Sequence, residues 1–186
     1  LDTALQRSSV VSHAKLLNYV PSSYVAPTAY VDLVFNGVSN TSFVLPAYTN
    51  FLSEKVNGIN FNFVTTESTT VNGENNIATF TDIELKQGIP VSQTITVNST
   101  SNPNYTYELT DDKIDVSSIR VSIQKSSSNS SSEVFTLSNQ YLSLDGQSKV
   151  FFVQESLNGN YEIYFGDGIL GKKLDDGNII NVSYIT

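Results

Sequence analysis

Residues 161–174, Tyr-Glu-Ile-Tyr-Phe-Gly-Asp-Gly-Ile-Leu-Gly-Lys-Lys-Leu, hold the run Gly166-Asp167-Gly168-Ile169-Leu170-Gly171. Its G-x-G-x-x-G spacing follows a strand-like segment, as in dinucleotide-binding loops. Such a loop holds pyrophosphate only if it opens a helix, whose first amides and dipole face the anion. Here the run leads through Lys172, Lys173, Leu174, Asp175, Asp176 and Gly177 into another strand pattern at residues 179–185. No helix fits in that space. An acidic residue about 20 positions on would fall at or past the last residue. The run therefore reads as a glycine-rich turn between strands, with Asp167-Gly168 and Asp176-Gly177 as its corners. No cofactor is expected.

Other reactive constellations are thin. The 186 residues include no cysteine and one histidine, His13. Cysteine-based zinc sites and disulfides are excluded, and within one chain any His-dependent site would have to use His13. It lies in a helical pattern with no second ligand nearby, so no metal is expected. The pairs Asp111-Asp112 and Asp175-Asp176 do not continue into alternating oxygen ligands and read as solvated turns. No acid pair stands out for glycoside hydrolysis, and Trp is absent. The reading is of a protein that is not an enzyme and has no small-molecule substrate. Asn40, Asn98, Asn104, Asn129 and Asn181 lie in N-x-S/T sequons, which matter only in a glycosylating pathway.

The net charge is −8, with 18 acidic against 10 basic residues. That argues against a nucleic-acid partner, which needs clustered Lys and Arg; the one basic doublet is Lys172-Lys173. No apolar run reaches the roughly 18 residues of a membrane span. The chain opens on Leu1 and reads as a fragment of something longer.

The elements that would carry these residues are mostly strands. Val31, Leu33 and Phe35 alternate with polar or outward positions. So do Ile59, Phe61 and Phe63; Val91, Ile95 and Val97, with Gln93 as the exception on that face; Ile119, Val121 and Ile123; Tyr161, Ile163 and Phe165; and Ile180, Val182 and Tyr184. Period two marks half-buried strands. Of ten glycines, seven follow Asn or Asp: Gly37, Gly58, Gly73, Gly146, Gly159, Gly168 and Gly177. Those dipeptides close tight hairpins, so the fold is expected to be antiparallel, a sandwich or barrel. The Ser-rich run at residues 126–132 reads as a flexible hairpin loop. The polar stretch at residues 98–104, with Pro103, reads as a boundary.

The N-terminal segment differs. Thr3-Ala4-Leu5-Gln6 fits a capping box, and no Pro or Gly intrudes before Pro21. Val10, Ala14 and Leu17 share one helical face; Leu5, Ser9, Ser12 and Leu16 share the opposite one. Two such faces suit a helix between two neighbours, either over its own β domain or in a bundle between chains. The expected architecture is mainly β: a helix at residues 1–20, then two antiparallel modules, sandwich- or barrel-like, at 21–100 and 101–186.

Three stretches carry a family resemblance. Residues 5–31, LQRSSVVSHAKLLNYVPSSYVAPTAYV, resemble the N-terminal region of the baseplate wedge protein of contractile-tailed phages of the T-even type. There an Arg-Ser-Ser-Val-Val helix precedes a Tyr-x-Pro-x-Ser step and a β domain. Residues 152–168, FVQESLNGNYEIYFGDG, and 164–186, YFGDGILGKKLDDGNIINVSYIT, resemble its Tyr-Phe-Gly-Asp/Glu-Gly element, which related baseplate-J-like proteins share. Residues 44–51, VLPAYTNF, resemble a strand turn of the family, with Tyr48 where Gly is usual. The resemblance implies a structural virion protein: a scaffold subunit of the wedge around the tail hub, taking part in contraction and DNA delivery. It implies a place in the virion baseplate, after assembly in the host cytoplasm. The implied partners are a second copy of the chain and other wedge proteins, met through a helical bundle. The fragment would lack the most N-terminal part and a C-terminal ring-forming domain. Val10, Val11, Ala14 and Leu17 are then the expected packing residues, with Arg7 pairing to an acidic neighbour. Gly166, Asp167, Gly168, Gly171 and Gly177 become structural turn residues. The alternative from another class is a carbohydrate- or receptor-binding β module of a tail fibre or adhesin, which would be expected to show repeats; none is visible.

Overall fold

The computed structural model describes residues 6–16, 22–39, 41–140, 143–156 and 158–186. The chain is mainly β, with one short helix, α1 (Arg7–Leu16). Of the expected helix, Thr3 and Leu5 of the capping box and the stretch from Leu17 to Pro21 lie outside the described residues.

One compact unit comprises residues 25–90 with 185–186. Its strands are β1 (Thr28–Asn36), β2 (Ser42–Leu45), β3 (Asn50–Leu52), β4 (Asn62–Thr65), β5 (Thr69–Asn72) and β6 (Ile77–Gln87). They form a four-stranded antiparallel sheet, β1-β6-β4-β3, and a two-stranded ribbon, β2-β5. The alternation read in β1 is real: Val31, Leu33 and Phe35 point inward, while Tyr30, Asp32 and Val34 point out. In β6 the alternation slips. Phe80 and Ile83 are both buried although three residues apart, which a regular strand forbids. A bulge resolves the conflict, because the register with β1 shifts between Val31 and Leu33. Asp82 takes φ 56° there, and its amide donates to Asp32 Oδ1 at 2.9 Å. The extra residue returns both side chains to the core face, where Phe80 packs against Phe35 and Phe43 with ring centroids 5.8 and 5.9 Å away.

Two details of this unit depart from the sequence pattern. Ile59 and Phe61 do not belong to the strand that holds Phe63. Residues 53–61 fold into a hairpin closed by Asn57 and Gly58 at φ 53° and 84°. Ile59 is 59% exposed, so local turn chemistry overrides the apparent alternation. Tyr48, standing where the family has Gly, adopts φ 60° all the same. Fully buried Thr65 holds that turn: its backbone carbonyl accepts from Tyr48 N, and its Oγ1 accepts from Thr49 N at 2.9 Å and donates to Pro46 O at 2.7 Å.

The second unit comprises residues 91–184 and the described part of the N-terminal segment up to Tyr24. Its strands are β7 (Pro90–Thr96), β8 (Thr106–Glu108), β9 (Arg120–Ser126), β10 (Asn129–Leu137), β11 (Val150–Glu155), β12 (Tyr161–Phe165) and β13 (Ile179–Ile185). They make one seven-stranded sheet in the order β7-β13-β9-β10-β11-β12-β8. The sheet is barrel-like: its end strands approach closely enough for Gln93 Nε2 of β7 to donate to Glu108 O of β8 at 3.1 Å. Leu109, Ile114, Phe151, Ile163, Ile180 and Tyr184 fill the interior. Tyr184 keeps its hydroxyl hydrogen-bonded to Asp111 at 2.7 Å.

Two expectations are corrected here. The strands are not all antiparallel: β10 and β11 run parallel, pairing Thr136 with Val150 and Leu137 with Phe151. The intervening loop carries the chain back to the starting end, which a hairpin cannot do. The Ser-rich run is not a flexible loop but a tight hairpin with its turn at Ser127 and Ser128, β10 starting at Asn129. β7 is hydrogen-bonded to β13.

Thr65→Val keeps the shape and removes the hub of the Tyr48 turn, leaving the half-buried Thr49 amide without its acceptor and Pro46 O with only its bond from Thr49 Oγ1. The expected cost is about 1–3 kcal/mol of unfolding free energy in a denaturant titration. A change within error would mean the turn stands without it.

Candidate functional site

The glycine run forms a junction of two interlocked loops. The first, after β12, is residues 166–171; the second, before β11, is residues 145–148. A Cβ on Gly166 would overlap the carbonyl group of Gly171, and one on Gly146 would overlap the carbonyl of Gly168. Backbone therefore rests directly on backbone, which only glycine allows. Gly168 and Gly171 take φ 94° and 93°. Gly168 N donates to Gly171 O at 3.0 Å, Gly171 N to Asp145 O at 2.9 Å, and Lys172 N to Ser148 O at 2.8 Å.

Side-chain carboxylates finish the two loops. Asp167 Oδ1 accepts from Ile169 N at 2.9 Å and Leu170 N at 3.0 Å. Asp145 Oδ1 accepts from Ser148 Oγ at 2.7 Å and Gln147 N at 3.0 Å. Every amide from Gly168 to Lys172 is thus bonded within the chain, and a carboxylate occupies the place where a phosphate would sit. The chain then runs into β13 without a helix. The arrangement can fix a corner between strands; it offers no cradle to a dinucleotide.

Charge surrounds the junction. Glu133 of β10 bridges Lys172 and Lys149, the latter at 3.3 Å. The Lys173 ammonium lies 5.5 Å above the ring of Tyr105. Asp176 accepts from both the amide and the hydroxyl of Ser99, each at 2.7 Å, and Gly177, at φ 87°, donates to Val97 O. Hydrogen bonds hold four carboxyls below their ordinary range. For Glu133 the donors are Lys172 and then Lys149; for Asp145, the Ser148 hydroxyl and the Gln147 amide; for Asp167, the amides of Leu170 and Ile169; for Asp176, the Ser99 hydroxyl and amide.

Gly166, Asp167, Gly168 and Gly171 are brought together here, and Gly177 sits at a separate corner. Sequence reasoning missed Asp145, Gly146 and Ser148: Asp145-Gly146 looked like one more hairpin, whereas Gly146 is required by close approach. The Asp-x-x-Ser spacing was the available signal, since short polar side chains at that separation cap their own loop.

The helix residues are placed less compactly. On α1, Val10 is 46% exposed, Val11 is 2% exposed, and Ala14 is half-buried. The side chain of Arg7 and all of Leu17 lie outside the described residues. His13 is exposed. Among the described residues no three His, Asp or Glu side chains gather as a metal site. A cleft of about 490 Å³ is lined by Ser22, Ser23, Tyr24, Asp112, Asn158, Gly159 and Tyr161.

Residues 92–186, which carry the barrel-like sheet and its junction, match the family model of the bacteriophage baseplate wedge protein gp6, third domain. The chain belongs to this family. It is also similar to the baseplate wedge protein gp6 of Enterobacteria phage T4, with 26% identity over 187 residues covering 98% of this chain. The chain spans 27% of that relative's length. Membership supports a structural role in a phage baseplate and suggests a protein that is not an enzyme. The junction, which opened as a cofactor motif, lies within the matched residues.

Two predictions concern this junction. Gly166→Ala has no room without moving the Gly171 backbone, whereas Gly177→Ala meets nothing within 4 Å and bears only positive-φ strain. Gly177→Ala is expected to cost about 1–2 kcal/mol and Gly166→Ala clearly more, read by denaturant unfolding. Equal costs would refute the close-approach account.

The second concerns acid. Each of the four carboxyls has a folded pKa below its unfolded value. Its contribution to stability is therefore present above the unfolded value and is lost as pH falls through the folded one. Unfolding free energy should decline from about pH 4 downward, the ordinary carboxylate range. Replacing Asp145 and Asp167 with Asn should make that decline shallower. An unchanged slope would show that these two carboxylates do not stabilise the folded chain.

Proposed function

We propose that this chain is a scaffold subunit of a phage baseplate wedge, assembling around the tail hub and taking part in contraction and DNA delivery. In this reading α1 is an inter-subunit element. The partners are a second copy of the chain and other wedge proteins. The work is interface formation rather than catalysis, with assembly in the host cytoplasm and residence in the virion baseplate. What carries the reading is the match to the wedge family over the whole barrel-like unit, joined to colinear similarity along 98% of the chain.

The helix supplies the contact surface. Val10 projects outward from α1, and Ala14 follows it one turn on. Val11 is buried within the chain and would anchor α1 to its own unit. Stable assemblies bury about 2,000 Å² or more, an area to which a helix face contributes well.

The experiment separates the two faces. Val10→Asp with Ala14→Asp should abolish co-assembly with the other wedge proteins in sedimentation, while circular dichroism and unfolding of the β units stay unchanged. Val11→Asp should lower stability instead. Intact assembly in the first variant would end the bundle assignment. Antibody against the chain, applied to intact particles, should label the junction of tail tube and baseplate; label on fibres would favour the alternative. That alternative, a carbohydrate- or receptor-binding module, draws on the cleft beside Tyr24, and chemical-shift changes confined to the cleft on adding host envelope polysaccharide would support it.

A further inference from the structure

Four Asn-Gly pairs occur in the chain: Asn36-Gly37, Asn57-Gly58, Asn72-Gly73 and Asn158-Gly159. This dipeptide is open to an internal reaction, because glycine lacks a side chain to shield its amide nitrogen. The nitrogen must be free to turn toward the preceding side chain, so the fold can permit or forbid the reaction pair by pair.

In three pairs the glycine amide is engaged. Gly37 N donates to Asn76 O at 2.8 Å, Gly73 N to Thr41 O at 3.0 Å, and Gly159 N to Ser156 O at 3.2 Å. Gly73 is also wedged against the Ser39 carbonyl, so its peptide has no room to rotate. The side chain of Asn158 is held from both ends: Nδ2 donates to Glu108 at 2.9 Å, and Oδ1 accepts from Asn160 N at 3.1 Å.

Asn57-Gly58 differs on each count. The bonds that close its hairpin run between Val56 and Ile59, at 2.9 and 3.1 Å. Among the described residues the Gly58 amide has no acceptor and the Asn57 side chain no partner. Both residues are exposed, and nothing lies within 4 Å of where a Gly58 Cβ would be.

We propose that Asn57 is a site of spontaneous deamidation, selected from the four by the fold. The Gly58 nitrogen, giving its proton to solvent base, attacks the side-chain carbonyl carbon of Asn57. The bond from that carbon to the side-chain nitrogen breaks, and the nitrogen leaves with a solvent proton as ammonia. A five-membered succinimide results. One water then opens the ring at either carbonyl, giving aspartate or isoaspartate. One water is consumed, one ammonia is released, and nothing is oxidised or reduced. Either product adds a negative charge to the hairpin tip. Isoaspartate also lengthens the main chain between Val56 and Ile59, which breaks the register of that pairing.

The test is a peptide map by mass spectrometry of the full chain, aged in mildly alkaline buffer with and without denaturant. In denaturant the four pairs should convert at comparable rates, since each asparagine precedes glycine. In the native sample the Asn57 peptide should convert severalfold faster than any of the other three. Isoaspartyl methyltransferase should label it, marking the succinimide route. The same relative rates in both samples, or another pair overtaking Asn57, would overturn selection by the fold. Aspartate without isoaspartate at position 57 would overturn the route.

Discussion

The close approach of backbone to backbone at Gly166 and Gly171, with Gly146 against Gly168, is the constraint on which the larger unit depends. It fixes where the chain leaving β12 must go and where the chain entering β11 must come from. Those two strands are neighbours, and β10 pairs in parallel with the other edge of β11. A parallel step needs a connection that returns to its starting end, and the 145–148 loop that finishes the return is held in the junction. Asp145 and Asp167 supply acceptors for amides that sharp turns leave without ladder partners. Glu133 then ties β10 to lysines on both sides of the corner. Remove the glycines and the carboxylates have nothing to organise.

Much of this could be read from the residues, for a physical reason. A strand with one face in the core must alternate, and β1, β7, β9, β12 and β13 all do so. Hidden from that reading was whatever depends on a partner distant in sequence. The bulge at Asp82 is invisible along β6 alone; it shows only when Phe80 and Ile83 are required to meet the same core as Val31 and Leu33. The parallel pair is set by a few register contacts at the end of β10. Asn-Gly and Asp-Gly were read uniformly as hairpin corners. Five of those seven glycines do have positive φ, but Gly73 and Gly146 are glycine because backbone passes close by.

The candidate site was legible by context rather than by motif. G-x-G-x-x-G alone pointed to a cofactor. What followed it, two lysines, an acidic turn and a strand, decided otherwise, since an anion site of this kind depends on the helix it opens. The identity of the second loop could not be read in the same way, because Asp145 meets Gly171 only in three dimensions. The helix contributed composition and period, but which of its faces turns inward follows from packing: Val10 and Val11 are adjacent and chemically identical, yet one is exposed and the other buried.

The contact between Gln93 and Glu108 has a consequence for a protein built to stand among many neighbours. Strands at the end of a sheet offer unpaired amides and carbonyls that recruit any extended chain nearby. Here the sheet curls until a side chain from β7 occupies the Glu108 carbonyl of β8, which closes that acceptor to an incoming chain. Strand addition at that point of the edge would first have to displace the Gln93 side chain.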